Sequence, residues 1–141
     1  MIESDTKKEF QVPTDLSEVQ KASAKVLAFL KPLDLSHAFL FDVRLCLEEA
    51  LINAMKYGNN LRKDLKVSLA VEVSGKKVQI TVEDRGKGFD PKDLKSCTSE
   101  ENLLRTRGRG VYLIHRLMDE VKYNAQGNRL VMVKFIKKGL R

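Results

Sequence analysis

Three short segments carry residues whose types and spacing suit chemistry as well as packing. The first is Glu49-Ala50-Leu51-Ile52-Asn53-Ala54-Met55-Lys56-Tyr57-Gly58, in which a carboxylate and a carboxamide stand four residues apart. On a helix that spacing puts both on one face. The surrounding sequence is apolar, so the pair needs partners or a ligand if it is buried. The second is Glu83-Asp84-Arg85-Gly86-Lys87-Gly88-Phe89. Asp84 has the parity of Val78, Ile80 and Val82, which predicts that it points to the buried side of a sheet. A carboxylate there, followed by glycines that let backbone approach closely, suits an acceptor for the amino group of a flat ligand. The third is Arg107-Gly108-Arg109-Gly110-Val111-Tyr112-Leu113-Ile114. A glycine pair directly before a helix leaves free N–H groups at its N-terminus, where the dipole favours phosphate. The arginines Arg107 and Arg109 add charge-assisted donors. Each segment alone also admits a plainer reading: a solvated polar seam, a strand-ending aspartate with turn glycines, and a glycine turn into a helix. The third is neither a Walker A loop nor a dinucleotide fingerprint after a strand.

The elements that must position these residues follow from periodicity. Residues 9–12 alternate and suggest an edge strand that Pro13 ends. Asp15 is placed as a helix N-cap with Glu18 as its capping-box partner. Leu16, Val19, Ser23, Val26, Leu27 and Leu30 then recur at helical steps up to Pro32. A second helix starts near Asp34 or Ser36 and runs to Tyr57, with Gly58-Asn59-Asn60 as its stop. Val67, Leu69, Val71 and Val73, then Val78, Ile80 and Val82, form a hairpin turning at Gly75 with one apolar face. From Gly86 to about Arg109 no apolar period persists, and a loop that long is usually functional. A short helix with Val111, Leu113, Ile114, Leu117 and Met118 follows, then strands over 120–124 and 129–137 joined at Gln126-Gly127-Asn128. The order β-α-α-β-β-loop-α-β-β predicts an α+β fold, with helices packed on one face of a mixed, mostly antiparallel sheet.

Bulk composition narrows the function classes. A chain of 141 residues fits one domain spanning 1–141 with one substantial core. Hydrophobic residues at 43% and charged residues at 32% are ordinary for a globular domain. No membrane span and no signal-peptide stretch is visible, and Cys46 and Cys97 fit neither a metal site nor a disulfide framework. A cytoplasmic location is therefore expected. The net charge of +7 is spread along the chain, with one cluster at Arg105, Arg107 and Arg109. Neither a nucleic-acid motif nor a stacking set accompanies it, so no direct nucleic-acid partner is expected.

Taken together and in order, the three segments resemble the GHKL (Bergerat-fold) ATP-binding superfamily. Glu49-x-x-x-Asn53-Ala54 looks like its N box, Asp84-x-Gly86-x-Gly88 its first glycine box and Gly108-x-Gly110 its second. The resemblance implies a two-layer α/β sandwich. It implies that Asn53 holds Mg²⁺ bridging the phosphates of ATP and that Asp84 accepts from the adenine amino group. Gly86 and Gly88 would bend backbone around the base, residues 90–107 would form the ATP lid, and Gly108 and Gly110 would present N–H groups to phosphate. Lys56 stands where related N boxes often carry a basic residue; Arg107 and Arg109 are less uniform in the family. A Glu at position 49, rather than the Asn typical of sensor histidine kinases, suits a general base. His37 and His115 are read as structural, so no phospho-accepting histidine is expected. Leu113-Ile114 through Met118-Asp119-Glu120-Val121 and the strand after Gly127 resemble the anti-sigma-factor serine/threonine kinases. Asn128 departs from the Thr often found after that glycine, which puts one auxiliary phosphate or strand contact in question. That branch implies a homodimer that sequesters a sigma factor or another client and phosphorylates a small STAS-type antagonist, with residues 9–33 as the candidate partner surface. The alternative within the same fold is a nucleotide-dependent binding module without catalysis.

Overall fold

A computed structural model of the chain describes residues 6–86 and 109–137. The element order is β1 (Thr6–Pro13), α1 (Val19–Leu30), α2 (His37–Asn53), β2 (Lys66–Ser74), β3 (Lys77–Glu83), α3 (Arg109–Leu117), β4 (Glu120–Tyr123) and β5 (Arg129–Phe135). Five strands form one sheet in the order β1-β2-β3-β5-β4, and every described pairing is antiparallel. The expected α+β sandwich is thus present, and the expected edge strand begins earlier, at Thr6. Among the described residues no helix is long and apolar enough to cross a membrane.

Strand parity decides which face is covered. Val67, Leu69, Val71 and Val73 of β2, Val78, Ile80 and Val82 of β3, and Leu130 and Met132 of β5 are buried. They meet Val19, Val26 and Leu30 of α1 and Val43, Leu47 and Leu51 of α2 in one core. The opposite face carries Lys7, Gln11, Ser68, Glu72, Gln79 and Glu83, and no helix among the described residues covers it. The two long helices are also tied directly: buried Ser23 donates from Oγ to Glu48 Oε2 at 2.6 Å.

Local signals explain the helix ends, with two departures from expectation. Ser36 caps α2, its Oγ accepting from the Phe39 N–H at 3.1 Å. Asp15 caps as expected, accepting from the Ser17 N–H at 3.0 Å, but it opens a single 3₁₀ turn over Leu16–Glu18 before α1. Glu18 does not complete a capping box. The Asp15 N–H is taken by the Pro13 carbonyl at 2.8 Å, and the Glu18 carboxylate pairs with Lys21 at 3.6 Å. The second departure is at the end of α2, where the helix widens into a π turn over Ala54–Gly58. The Asn59 N–H reaches back to the Ala54 carbonyl at 2.8 Å. The left-handed residues that turn the chain are Asn60 and Leu61, with φ of 52° and 58°, so Gly58 is not the αL stop that the sequence suggested.

Leu47 has no exposed surface and sits where α2 meets the sheet. Leu47→Ala is expected to lower the unfolding free energy by about 2–5 kcal/mol, measured as a fall in the urea midpoint at unchanged slope.

Candidate functional site

The inner face of β3 ends in a carboxylate. Asp84 continues the buried series Val78, Ile80, Val82 and is 8% exposed. Its backbone is held by Asn128, just before β5: the Asp84 N–H donates to the Asn128 carbonyl at 3.0 Å, and Asn128 Nδ2 donates to the Asp84 carbonyl at 3.4 Å. Its side chain is held by the next turn, where the Gly86 N–H donates to Oδ1 at 2.8 Å. Asp84 lies in a cleft of about 560 Å³, open mouth included, between α2, α3 and the sheet. Val82, Ile114 and Leu130 give the cleft apolar walls, and Asp84 is the one carboxylate among its described lining residues. A flat apolar body with an amino edge matches such a surface.

Glycine is required at the carboxylate for a steric reason. A Cβ on Gly58 would fall on the Asp84 carboxyl group, 2.5 Å from Oδ1. A Cβ on Gly86 would overlap the Gly58 carbonyl, 2.6 Å from its carbon. Both glycines therefore serve close approach, of one chain segment to the other and of both to Asp84. The π turn brings Gly58 there, which gives that irregularity a use at the cleft.

α2 supplies the other wall. Asn53 lines the cleft and Glu49, half-buried, stands one helical turn before it. α3 begins at Arg109, and a Cβ on Gly110 would overlap Glu49 Oε1 and sit 3.2 Å from Glu49 Cβ. The first turn of α3 thus lies against the Glu49 carboxylate, with its N–H groups outside the intrahelical ladder. Lys56 is exposed on the π turn, its Nζ 5.9 Å from the Tyr57 ring centroid, and is not part of the described lining. Gly88, Arg107, Gly108 and the expected lid over 90–107 lie outside the described residues, as does the side chain of Arg109. Among the described residues no three His, Cys, Asp or Glu side chains gather to hold a metal. Asn53 is the side-chain oxygen donor on the α2 wall of the cleft, beside which the phosphates of a ligand could supply further oxygens to a cation.

Two asparagines hold the site in ways that sequence reasoning did not assign. Asn59, 1% exposed, accepts from the Arg85 N–H at 2.8 Å and donates from Nδ2 to Thr14 Oγ1 at 2.8 Å. Thr14 in turn donates to the Leu65 carbonyl at 2.6 Å. Asn59 therefore locks the segment after Asp84 to the end of the π turn. Asn128 is the second: its carbonyl and Nδ2 hold the Asp84 backbone, and its Oδ1 accepts from Asn124 Nδ2 at 2.7 Å. The signal for Asn59 was only its place in an apparent turn, and for Asn128 its place in a turn and its departure from Thr.

Two further titratable groups lie near the cleft. Cys46 on α2 is pushed up to about 12, mainly by burial and then by the Asp42 charge, so its thiol stays protonated. His115 stacks on Tyr123, a lining residue, with ring centroids 6.4 Å apart, and its buried Nε2 has no hydrogen-bond partner among the described residues. Desolvation holds its imidazole below the usual 6.5, which agrees with a structural role.

Comparison with known proteins bears on this geometry. A family model for the histidine kinase-like ATPase domain matches residues 12–134. The serine-protein kinase RsbW of Oceanobacillus iheyensis is 29% identical over 135 residues, covering 91% of this chain and 85% of that protein. The serine-protein kinase RsbW of Staphylococcus epidermidis is 33% identical over 105 residues, 69% of this chain and 66% of the relative. Two solved structures share the fold. The RsbU and RsbW domains of a Mycobacterium tuberculosis protein superpose with a TM-score of 0.63 at 14% identity, over 94% of this chain and 32% of that one. A chain of the SiaB–SiaC complex of Pseudomonas aeruginosa gives 0.60 at 15% identity, over 92% and 88%.

Gly58→Ala is expected to cost about 1–3 kcal/mol of overpacking and to displace the Asp84 carboxylate, so that calorimetric titration of the folded variant with ATP detects weakened binding. His115 gives a pH dependence. Its folded value lies below 6.5, so the unfolded chain takes the proton first and stability is lost as pH falls through that value. The unfolding midpoint should start to drop as pH falls through 6.5 and go on dropping below it, and should drop less in His115→Gln.

Proposed function

Because this chain belongs to the histidine kinase-like ATPase family, in the branch of the anti-sigma-factor serine kinases, we propose that it binds ATP in the cleft over Asp84 and transfers the γ-phosphate to a serine or threonine of a small STAS-type antagonist. The observation that carries this reading is the buried Asp84 carboxylate, packed by Gly58 and Gly86 at the floor of an apolar cleft. A carboxylate in that position accepts from the exocyclic amino group of adenine and disfavours a base that presents a carbonyl there.

The remaining roles follow from what each element brings to the cleft. The amides of the first turn of α3, Gly110 among them, would bind phosphate, with Gly108 and the arginines Arg107 and Arg109 adding donors. Asn53 would hold Mg²⁺, which neutralises charge on the phosphates when bound. Glu49 would take the proton of the attacking hydroxyl. Alignment and charge neutralisation supply most of the rate in phosphoryl transfer, and the contact of Glu49 with Gly110 brings the base beside the phosphate donors. A phosphate on the antagonist would add negative charge at its docking surface and weaken its grip. The client would be a sigma factor or a similar regulator. Residues 9–33, which include the C-terminal part of edge strand β1 and the exposed side of α1, are the proposed partner and dimer surface.

Transfer of labelled phosphate from ATP to a STAS-type protein tests the reading. Glu49→Ala should slow transfer by about 10²–10⁴-fold while binding ATP nearly as well as the unsubstituted chain. Asp84→Ala should lose ATP binding itself. Near-normal transfer by Glu49→Ala would remove the base assignment, and undiminished ATP affinity in Asp84→Ala would remove the cleft.

A further inference from the structure

Asp84 has a counterpart at the far end of the same sheet face. Leu130 and Met132 point inward from β5, and the next residue of that parity is Lys134, opposite Val78. Its side chain is only 15% exposed. Lys134 Nζ donates to the Leu117 carbonyl at 2.9 Å, lies 3.5 Å from Asp42 Oδ2 and 5.4 Å from the Phe39 ring centroid. Leu117 is the last residue of α3. Its carbonyl is among those a helix leaves without an intrahelical partner, and a cation there complements the dipole.

The partners of Lys134 belong to a seam that ends at the cleft. α3 runs antiparallel along α2. Asp42 faces the end of α3 through Lys134, Cys46 Sγ lies 4.0 Å from the Leu113 carbonyl, and Glu49 packs against Gly110. The nine residues of α3 form a rod only about 13 Å long. A shift at its C-terminus therefore reaches its N-terminus. Asp42 and Glu49 are seven residues apart on one face of α2, so a single helix face carries both ends of the seam.

We propose that Lys134 is a positioning residue for phosphoryl transfer: by pinning the C-terminus of α3 to Asp42 of α2, it sets the register in which the Gly110 amide and the Glu49 carboxylate meet the nucleotide. The proposal rests on the nucleotide reading of the cleft given above. α3 has a second attachment, since the Asp119 N–H donates to the Val133 carbonyl at 2.8 Å and Asp119 Oδ2 accepts from the Phe135 N–H at 2.6 Å. Removing the lysine charge therefore breaks the tie of α3 to Asp42 of α2, while the Asp119 contacts keep the end of α3 on β5.

The test compares Lys134→Met, which keeps the aliphatic stem, with the unsubstituted chain at a temperature where circular dichroism shows both folded. KM for ATP should rise and kcat should fall, each about three- to tenfold, and Lys134→Arg should recover most of both. In Asp42→Asn/Lys134→Met the loss should be no greater than in Lys134→Met alone, because Asp42 acts through the lysine. A lowered melting temperature with unchanged KM and kcat would overturn the proposal, leaving Lys134 a stabilising contact. If Lys134→Met does not fold, Asp42→Asn carries the same reading: a raised KM supports the proposal and an unchanged one overturns it. If Mg-ATP does not bind the unsubstituted chain, the cleft reading falls first and this proposal falls with it.

Discussion

A carboxylate on the inner face of a sheet is the constraint around which this site is arranged. Asp84 occupies a position that strand parity reserves for apolar side chains, and burying it unsatisfied would cost more than the core could absorb locally. Its surroundings answer that cost with backbone. The Gly86 amide donates to it, Asn128 clamps its main chain from just before β5, and Gly58 brings a second chain segment into contact where no side chain would fit. The consequence is a carboxylate with a fixed direction, aimed into a cleft whose other walls are apolar. Directional polar recognition on an apolar floor discriminates between flat ligands better than area alone.

Much of this was legible in the chain because it depends on period. The alternation Val78, Ile80, Val82 carried Asp84 inward, and the four-residue step from Glu49 to Asn53 placed both toward one wall. What could not be read depended on tertiary proximity. Gly58 looked like a helix stop, and its use is steric: the turn that ends α2 widens, and the αL conformations fall on Asn60 and Leu61. Asn59 looked like part of the same stop, yet it is a buried junction with Thr14 and Arg85, residues 45 and 26 positions away in the chain. Glu18 had the spacing of a capping box, but the Pro13 carbonyl competed successfully for the Asp15 N–H. Spacing announces which groups can meet within an element; it is silent on which distant segment arrives first.

The elements are tied to one another through a few polar contacts set in apolar surroundings. Ser23 and Glu48 join α1 to α2, Asn59 joins the end of α2 to the segment after β3, and Lys134 joins the sheet to both α2 and α3. Each is short, partly or fully buried and geometrically specific. The apolar core supplies adhesion without much direction, and these contacts fix the relative placement of elements to which the core alone would allow some slide.

The outermost strand has a bearing on how the molecule tolerates trimming. β1 contributes Val12 to the core, but its outward residues include Lys7 and Glu9, charges that discourage a foreign strand from adding to the sheet. Behind it lies β2, nine residues long, with Val67, Leu69, Val71 and Val73 all turned to the core. A chain cut back to Pro13 would bare the backbone of that longer, valine-rich ribbon and exchange a guarded border for an adhesive one. The first strand thus occupies the edge that β2 would otherwise present.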